Sequence, residues 1–105
     1  MIIINCLEEL SKTKRLYYAV LCKRMGTSLT EVSDYFDTIN DALEEVLTYT
    51  HPESINRVQR TFIQEEVAKP AFRCFLLILK HENINYLIEE NEEEMTACVY
   101  ITLPL

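Results

Sequence analysis

GTSLTEVSDYFDTINDALEEVLTYTHPE, residues 26–53, decides how the chain reads, because it holds a helix with a marked start, a marked stop and an apolar seam. Val32, Phe36, Ile39, Leu43 and Val46 recur at alternating spacings of four and three residues, the period of one helical face. Ser28 and Glu31 make a capping box, in which the serine hydroxyl takes a free N–H and the glutamate reaches back. Between the seam positions stand Glu31, Asp34, Asp37, Asp41, Glu44 and Glu45, with no Lys or Arg among them. The segment predicts a helix to about Thr48 that is apolar on one side and acidic on the other.

The reading extends in both directions. Asn5 and Glu8 suggest an earlier cap, and Leu7, Leu10, Tyr17, Val20, Leu21 and Met25 trace a face that Gly26 ends. Whether residues 5–25 form one helix, or two divided near Ser11 and Thr13, is open at this level. Beyond 50, Thr50 and Glu53 repeat the capping pattern with Pro52 in the first turn, and Ile55, Val58, Phe62, Ile63 and Val67 supply a further helical face up to Pro70. Phe72, Phe75, Leu76 and Leu79 make the most apolar helix, which Asn83 and Asn85 break before a short helix at Tyr86–Ile88 and a solvated EENEEE run at 89–94. The last eleven residues, MTACVYITLPL, carry no charge and favour a strand. Such a tail must pair with Met1–Ile4 or with another chain.

With one glycine and three prolines, the chain offers few hairpin turns. The expectation is therefore an all-α antiparallel bundle of four to five helices: a helical domain over 1–94, and a strand-like tail over 95–105 belonging to the same single domain. Core positions follow as Leu10, Tyr17, Leu21, Val32, Phe36, Ile39, Leu43, Val58, Phe62, Phe75, Leu76 and Leu79.

Composition narrows the function. A formal charge of −7 opposes sequence-independent binding to nucleic acid. Charge falls in alternating blocks, basic over 1–30 and 54–80 and acidic over 31–53 and 81–105, which suits neighbouring helices that attract. Cys6, Cys22, Cys74 and Cys98 fall singly, without CxxC spacing or a nearby histidine. No basic leader precedes Glu8 and Glu9, so reduced thiols in the cytoplasm or nucleus are expected. No apolar run spans a membrane. His51 and His81 sit at helix boundaries and read as surface groups, and one glycine permits no phosphate-binding loop. No catalytic residue, cofactor or metal is assigned.

The expected function is a non-catalytic protein–protein interaction module, a small intracellular adapter or regulator of the bare build that viruses and mobile elements encode. Its binding residues would be Glu31, Asp34, Asp41 and Glu45 on the acidic helix, with Val99, Tyr100, Ile101 and Leu103 in the tail. The partner would be a basic protein, one offering a sheet edge, or a second copy of the chain. The alternative is a nucleic-acid-binding regulator, because residues 28–47 can be laid on a helix-turn-helix. Asp41, Glu44 and Glu45 stand where that motif needs donors, and the unbroken seam fits one helix better. The basic stretch from Lys12 to Arg24 with Tyr17 and Tyr18 would touch RNA, anionic lipid or an acidic partner, unless it lies beside the acidic helix of its own bundle, the preferred reading.

Overall fold

The computed structural model describes residues 7, 10–51 and 54–103. Its elements run α1 (Lys12–Met25), α2 (Leu29–Tyr49), β1 (Arg57–Ile63), α3 (Gln64–Val67), α4 (Pro70–His81), β2 (Tyr86–Asn91) and β3 (Thr96–Thr102). The all-α bundle is overturned: the helices pack on one face of a three-stranded antiparallel sheet with strand order β1-β3-β2.

The tail is the cause. β3 is the middle strand, paired along its whole length with β1 on one side and β2 on the other. Val99 sits between Arg60 and Ile88, and Ile101 between Val58 and Tyr86. The helical face expected around Val58 and Phe62 is therefore β1, whose side chains alternate across the sheet. The short helix expected at Tyr86–Ile88 is β2, and the solvated acidic run is the end of β2 and the turn after it. The pairing that the tail requires lies within the chain; Met1–Ile4, Asn5, Glu8 and the Pro52–Glu53 half of the second capping pattern lie outside the described residues.

The shortage of glycine did not prevent a hairpin. Asn83 and Met95 adopt the left-handed conformations, at φ 61° and 55°, that glycine would normally supply. Asn83 closes α4 with its N–H on the Lys80 carbonyl while Ile84 reaches the Leu79 carbonyl. Gly26, at φ 81°, ends α1 in the same way through Lys23 and Cys22, with Thr27 making the second bond.

α2 is a single 21-residue helix, with no bend between 28 and 47. The Ser28 hydroxyl accepts from the Glu31 N–H at 3.2 Å, and the Glu31 carboxylate accepts from the Thr27 hydroxyl at 2.6 Å. The core lies where α2 and α4 meet the sheet. Tyr35, Phe36, Phe62, Phe72 and Phe75 form a ring cluster there, with the tightest pair, Phe36 and Phe75, 4.9 Å apart and edge to face. Each buried ring contributes about 1.5–3 kcal/mol by leaving water. α1 packs with its phase turned by one residue from the expected face. Tyr18 and Cys22 are buried, whereas Tyr17 and Val20 point outward.

Candidate functional site

Three places gather polar or exposed groups. The first is the junction of α1 with the end of α4. The Tyr18 hydroxyl donates to Glu82 Oε2 at 2.8 Å and lies 2.9 Å from His81 Nδ1, while Lys14 Nζ holds the same carboxylate at 2.8 and 3.1 Å. A hydroxyl has one proton; with it given to the carboxylate, His81 Nδ1 must donate to the Tyr18 oxygen. Burial, then the bonded Glu82 carboxylate, push the Tyr18 phenol far above its ordinary value, so it keeps its proton. The arrangement is a clamp between two helices in which the Tyr18 hydroxyl and the Glu82 carboxylate both have partners. α1 therefore spends its Lys14 on Glu82, and among the described residues no ion pair joins α1 to Glu31, Asp34, Asp41, Glu44 or Glu45.

The second is a corner between α2, β1 and α3. Tyr35 donates to Glu66 Oε2 at 2.7 Å, and Lys69 donates to Glu66 Oε1 at 2.9 Å. Lys69 and then Tyr35 hold the Glu66 carboxyl below its usual range, and burial pushes Tyr35 up. Tyr35 is the next residue along from the seam position Phe36, and its ring is part of the core cluster.

The third is the outer face of the sheet, a shallow concavity of about 640 Å³ lined by Gln59, Thr61, Glu89, Thr96, Cys98, Tyr100 and the turn acids Glu92–Glu94. Arg57 lies over the Tyr100 ring at 4.8 Å, and the Tyr100 hydroxyl donates to Glu89 at 3.3 Å. Cys98, then Glu89, raise the Tyr100 phenol above its ordinary value. Among the described residues no three His, Cys, Asp or Glu side chains gather as a metal-binding set.

The expected binding residues divide. Glu31, Asp34, Asp41 and Glu45 are all exposed on α2. Asp41, Glu44 and Glu45 make no ion pair among the described residues. Val99, Ile101 and Leu103 are buried in the chain's own core, with both sides of β3 occupied, and only Tyr100 of the tail set reaches the outer face. The tail therefore supplies no free strand.

Two features were missed. α1 carries an outward apolar stripe in which Leu16 is 62%, Tyr17 54% and Val20 53% exposed. Lys12, Leu16, Val20 and Lys23 follow one another at four, four and three residues, so two cations bracket two apolar groups on one face. The signal was present, because Leu16 and Val20 keep helical spacing on the side opposite Tyr18 and Cys22. The second is the short α3, joined to α4 through Ala68 and Lys69, with the β2–β3 hairpin following α4 in the chain. Against nucleic acid, Glu65 and Glu66 lie on α3 and Glu89, Glu90 and Glu92–Glu94 on the hairpin, outnumbering the cations Lys69, Arg73 and Lys80.

Comparison with protein-family models, with curated proteins and with solved structures finds no match to this chain.

Proposed function

We propose that the chain is a non-catalytic protein–protein interaction module that docks through its helical layer, with a second copy of itself as the partner. One observation carries the reading: the outward stripe Leu16, Tyr17 and Val20 of α1, exposed and rimmed by Lys12, Lys23 and Arg24 with no acid from Ser11 to Gly26. Exposed apolar groups on successive turns of one helix are the usual mark of a docking face. The cationic rim asks for a partner surface that combines apolar side chains with carboxylates.

The end of α2 is such a surface. Asp41, Glu45 and Tyr49 follow one another four residues apart, with Val46 beside them and Tyr49 almost fully exposed. α1 of one copy against α2 of another, repeated by a two-fold axis, places opposite charges across the contact twice. The same acidic face, from Glu31 and Asp34 to Glu45, would serve a basic protein in the same manner.

The test is molar mass by light scattering behind size exclusion on the full chain. Wild type is expected to be dimeric, and Leu16→Glu with Val20→Glu monomeric with an unchanged far-ultraviolet spectrum. Lys12→Glu with Lys23→Glu in one chain, and Asp41→Lys with Glu45→Lys in another, should each be monomeric alone and dimeric when mixed. A monomeric wild type at the highest soluble concentration, or a mixture that stays monomeric, removes the self-docking reading.

A further inference from the structure

We propose that Cys22 and Cys74 form an oxidation site, closing to a disulfide that staples α1 to α4. The two Sγ atoms lie 3.4 Å apart, on residues separated by 52 positions in the sequence, and both side chains are fully buried. Each sulfur is the other's hydrogen-bond partner, either one able to donate. A disulfide bond is about 2.05 Å long, so closure needs an approach of little more than about 1 Å, within reach of side-chain rotation and a small shift of α1. The clamp of Tyr18 and Lys14 on Glu82 already fixes how α1 lies along the end of α4.

The chemistry balances with a peroxide as oxidant. One sulfur, as its thiolate, attacks a peroxide oxygen; the O–O bond breaks, and a sulfenic acid and one water result. The second sulfur attacks the sulfenic sulfur, the S–O bond breaks, and a second water leaves as the S–S bond forms. Two thiols are oxidised by the loss of two hydrogens, and one peroxide is reduced to two waters. A small disulfide such as oxidised glutathione reaches the same product by two exchanges, releasing two thiols.

Burial slows the first step. It pushes both thiols up, Cys74 to about 12, so little thiolate forms while the helices stay closed. Attack then waits on local opening of α1 from α4, and the reaction should quicken with temperature well below global unfolding. Cys98, half-buried on the outer face of the sheet, has no second sulfur beside it among the described residues. The bond leaves Leu16, Tyr17 and Val20 outward, so this inference does not depend on the docking reading.

The experiment takes the full chain, reduced and then treated with hydrogen peroxide or oxidised glutathione at a temperature just below the onset of melting. Remaining thiols are blocked with N-ethylmaleimide in denaturant, and the protein is cut with trypsin. The expected product links residues 16–23 to residues 74–80, and accompanies a rise in Tm of roughly 10 °C or more that dithiothreitol reverses. The rise should vanish in Cys22→Ala and Cys74→Ala and persist in Cys98→Ser. Recovery of both Cys22 and Cys74 as blocked thiols, or linkage of either to Cys6 or Cys98 instead, overturns the proposal. If the two alanine variants do not fold, the peptide maps of wild type and Cys98→Ser decide alone.

Discussion

Tyr18→Phe removes one oxygen from a buried ring and leaves the packing of that ring in place. Two bonds are lost, the 2.9 Å contact with His81 Nδ1 and a stronger, charge-assisted one in which the phenol donates to the Glu82 carboxylate at 2.8 Å. Hydrogen bonds to charged groups contribute about 1.5–3 kcal/mol. Glu82 keeps Lys14, and its side chain is 19% exposed, so water can occupy the vacated position and the cost should fall at the lower end, about 1.5–2 kcal/mol. In a chain of this size that lowers Tm by roughly 6–10 °C. The effect should depend on pH in a definite sense. Burial raises the Glu82 carboxyl, but the bonds from Lys14 and Tyr18 outweigh it, and the group titrates below its usual range. A carboxyl depressed on folding contributes stability that is complete above its ordinary pKa, near about 4.3, and is lost as pH falls through the folded value. The gap between wild type and Tyr18→Phe should thus be full at pH 7 and narrower at pH 3. Urea unfolding followed by far-ultraviolet circular dichroism measures both. A gap below about 0.5 kcal/mol at pH 7, the scale of an ordinary surface change, or one that does not narrow in acid, would show that the hydroxyl does not serve the carboxylate.

Gly26→Ala meets no atom within 4 Å of the added carbon, so its cost is the left-handed backbone alone, about 1–2 kcal/mol in chemical denaturation; a smaller value would mean that α1 ends differently. Val99→Asp places a carboxylate in the middle of the sheet and should abolish the folded circular dichroism spectrum, whereas Val20→Asp on the outward side of α1 should stay within about 0.5 kcal/mol of wild type when measured at dilution.

The helices were legible where local chemistry decides them. Ser28 and Glu31 open α2, Gly26 ends α1, Pro70 begins α4, and the seam from Val32 to Leu43 is buried as its period requires. The strands were not, for two physical reasons. Val58 and Phe62 are four apart and also two and two apart, so they suit either a helical face or a strand face, and the inward Arg60 hides the alternation. On β2 the inward positions Tyr86, Ile88 and Glu90 end in a charge, which reads as solvated helix or loop. The uncharged tail demanded a partner, sought at Met1–Ile4 or on another chain, and the missing step was to read residues 57–63 and 86–91 as the strands that supply it. The acidic face of α2 was readable from the sequence. The Cys22–Cys74 contact was not, because the residues meet only when α1 packs on α4, and the outward stripe of α1 was hidden by reading its face one residue out of phase, through Tyr17 instead of Tyr18.

Among the described residues β1 and β2 are the edges of the sheet, and their charges bear on which layer can bring copies together. Asn56 accepts from the Leu103 N–H and Gln64 donates to the Met95 carbonyl, so by alternation Arg57, Gln59, Thr61 and Ile63 turn their backbone groups away from β3. On the other side Asn85 accepts from the Thr102 N–H, so by the same alternation the backbone groups of Tyr86, Ile88 and Glu90 turn away from β3. A two-fold pairing of β1 edges would set two strands bearing Arg57 and Arg60 side by side, and one of β2 edges would do the same with strands bearing Glu89 and Glu90. Like charges on paired strands repel, so both two-fold sheet pairings are opposed. β1 on the β2 of another copy would attract, but that contact is head-to-tail and does not close, giving growth without limit. The proposed α1–α2 contact would close with opposite charges, and salt should weaken it. A mass that falls from dimer to monomer as salt rises fits the helical layer. A mass that climbs steadily with protein concentration would point to β1 on β2 and exclude the helical pairing.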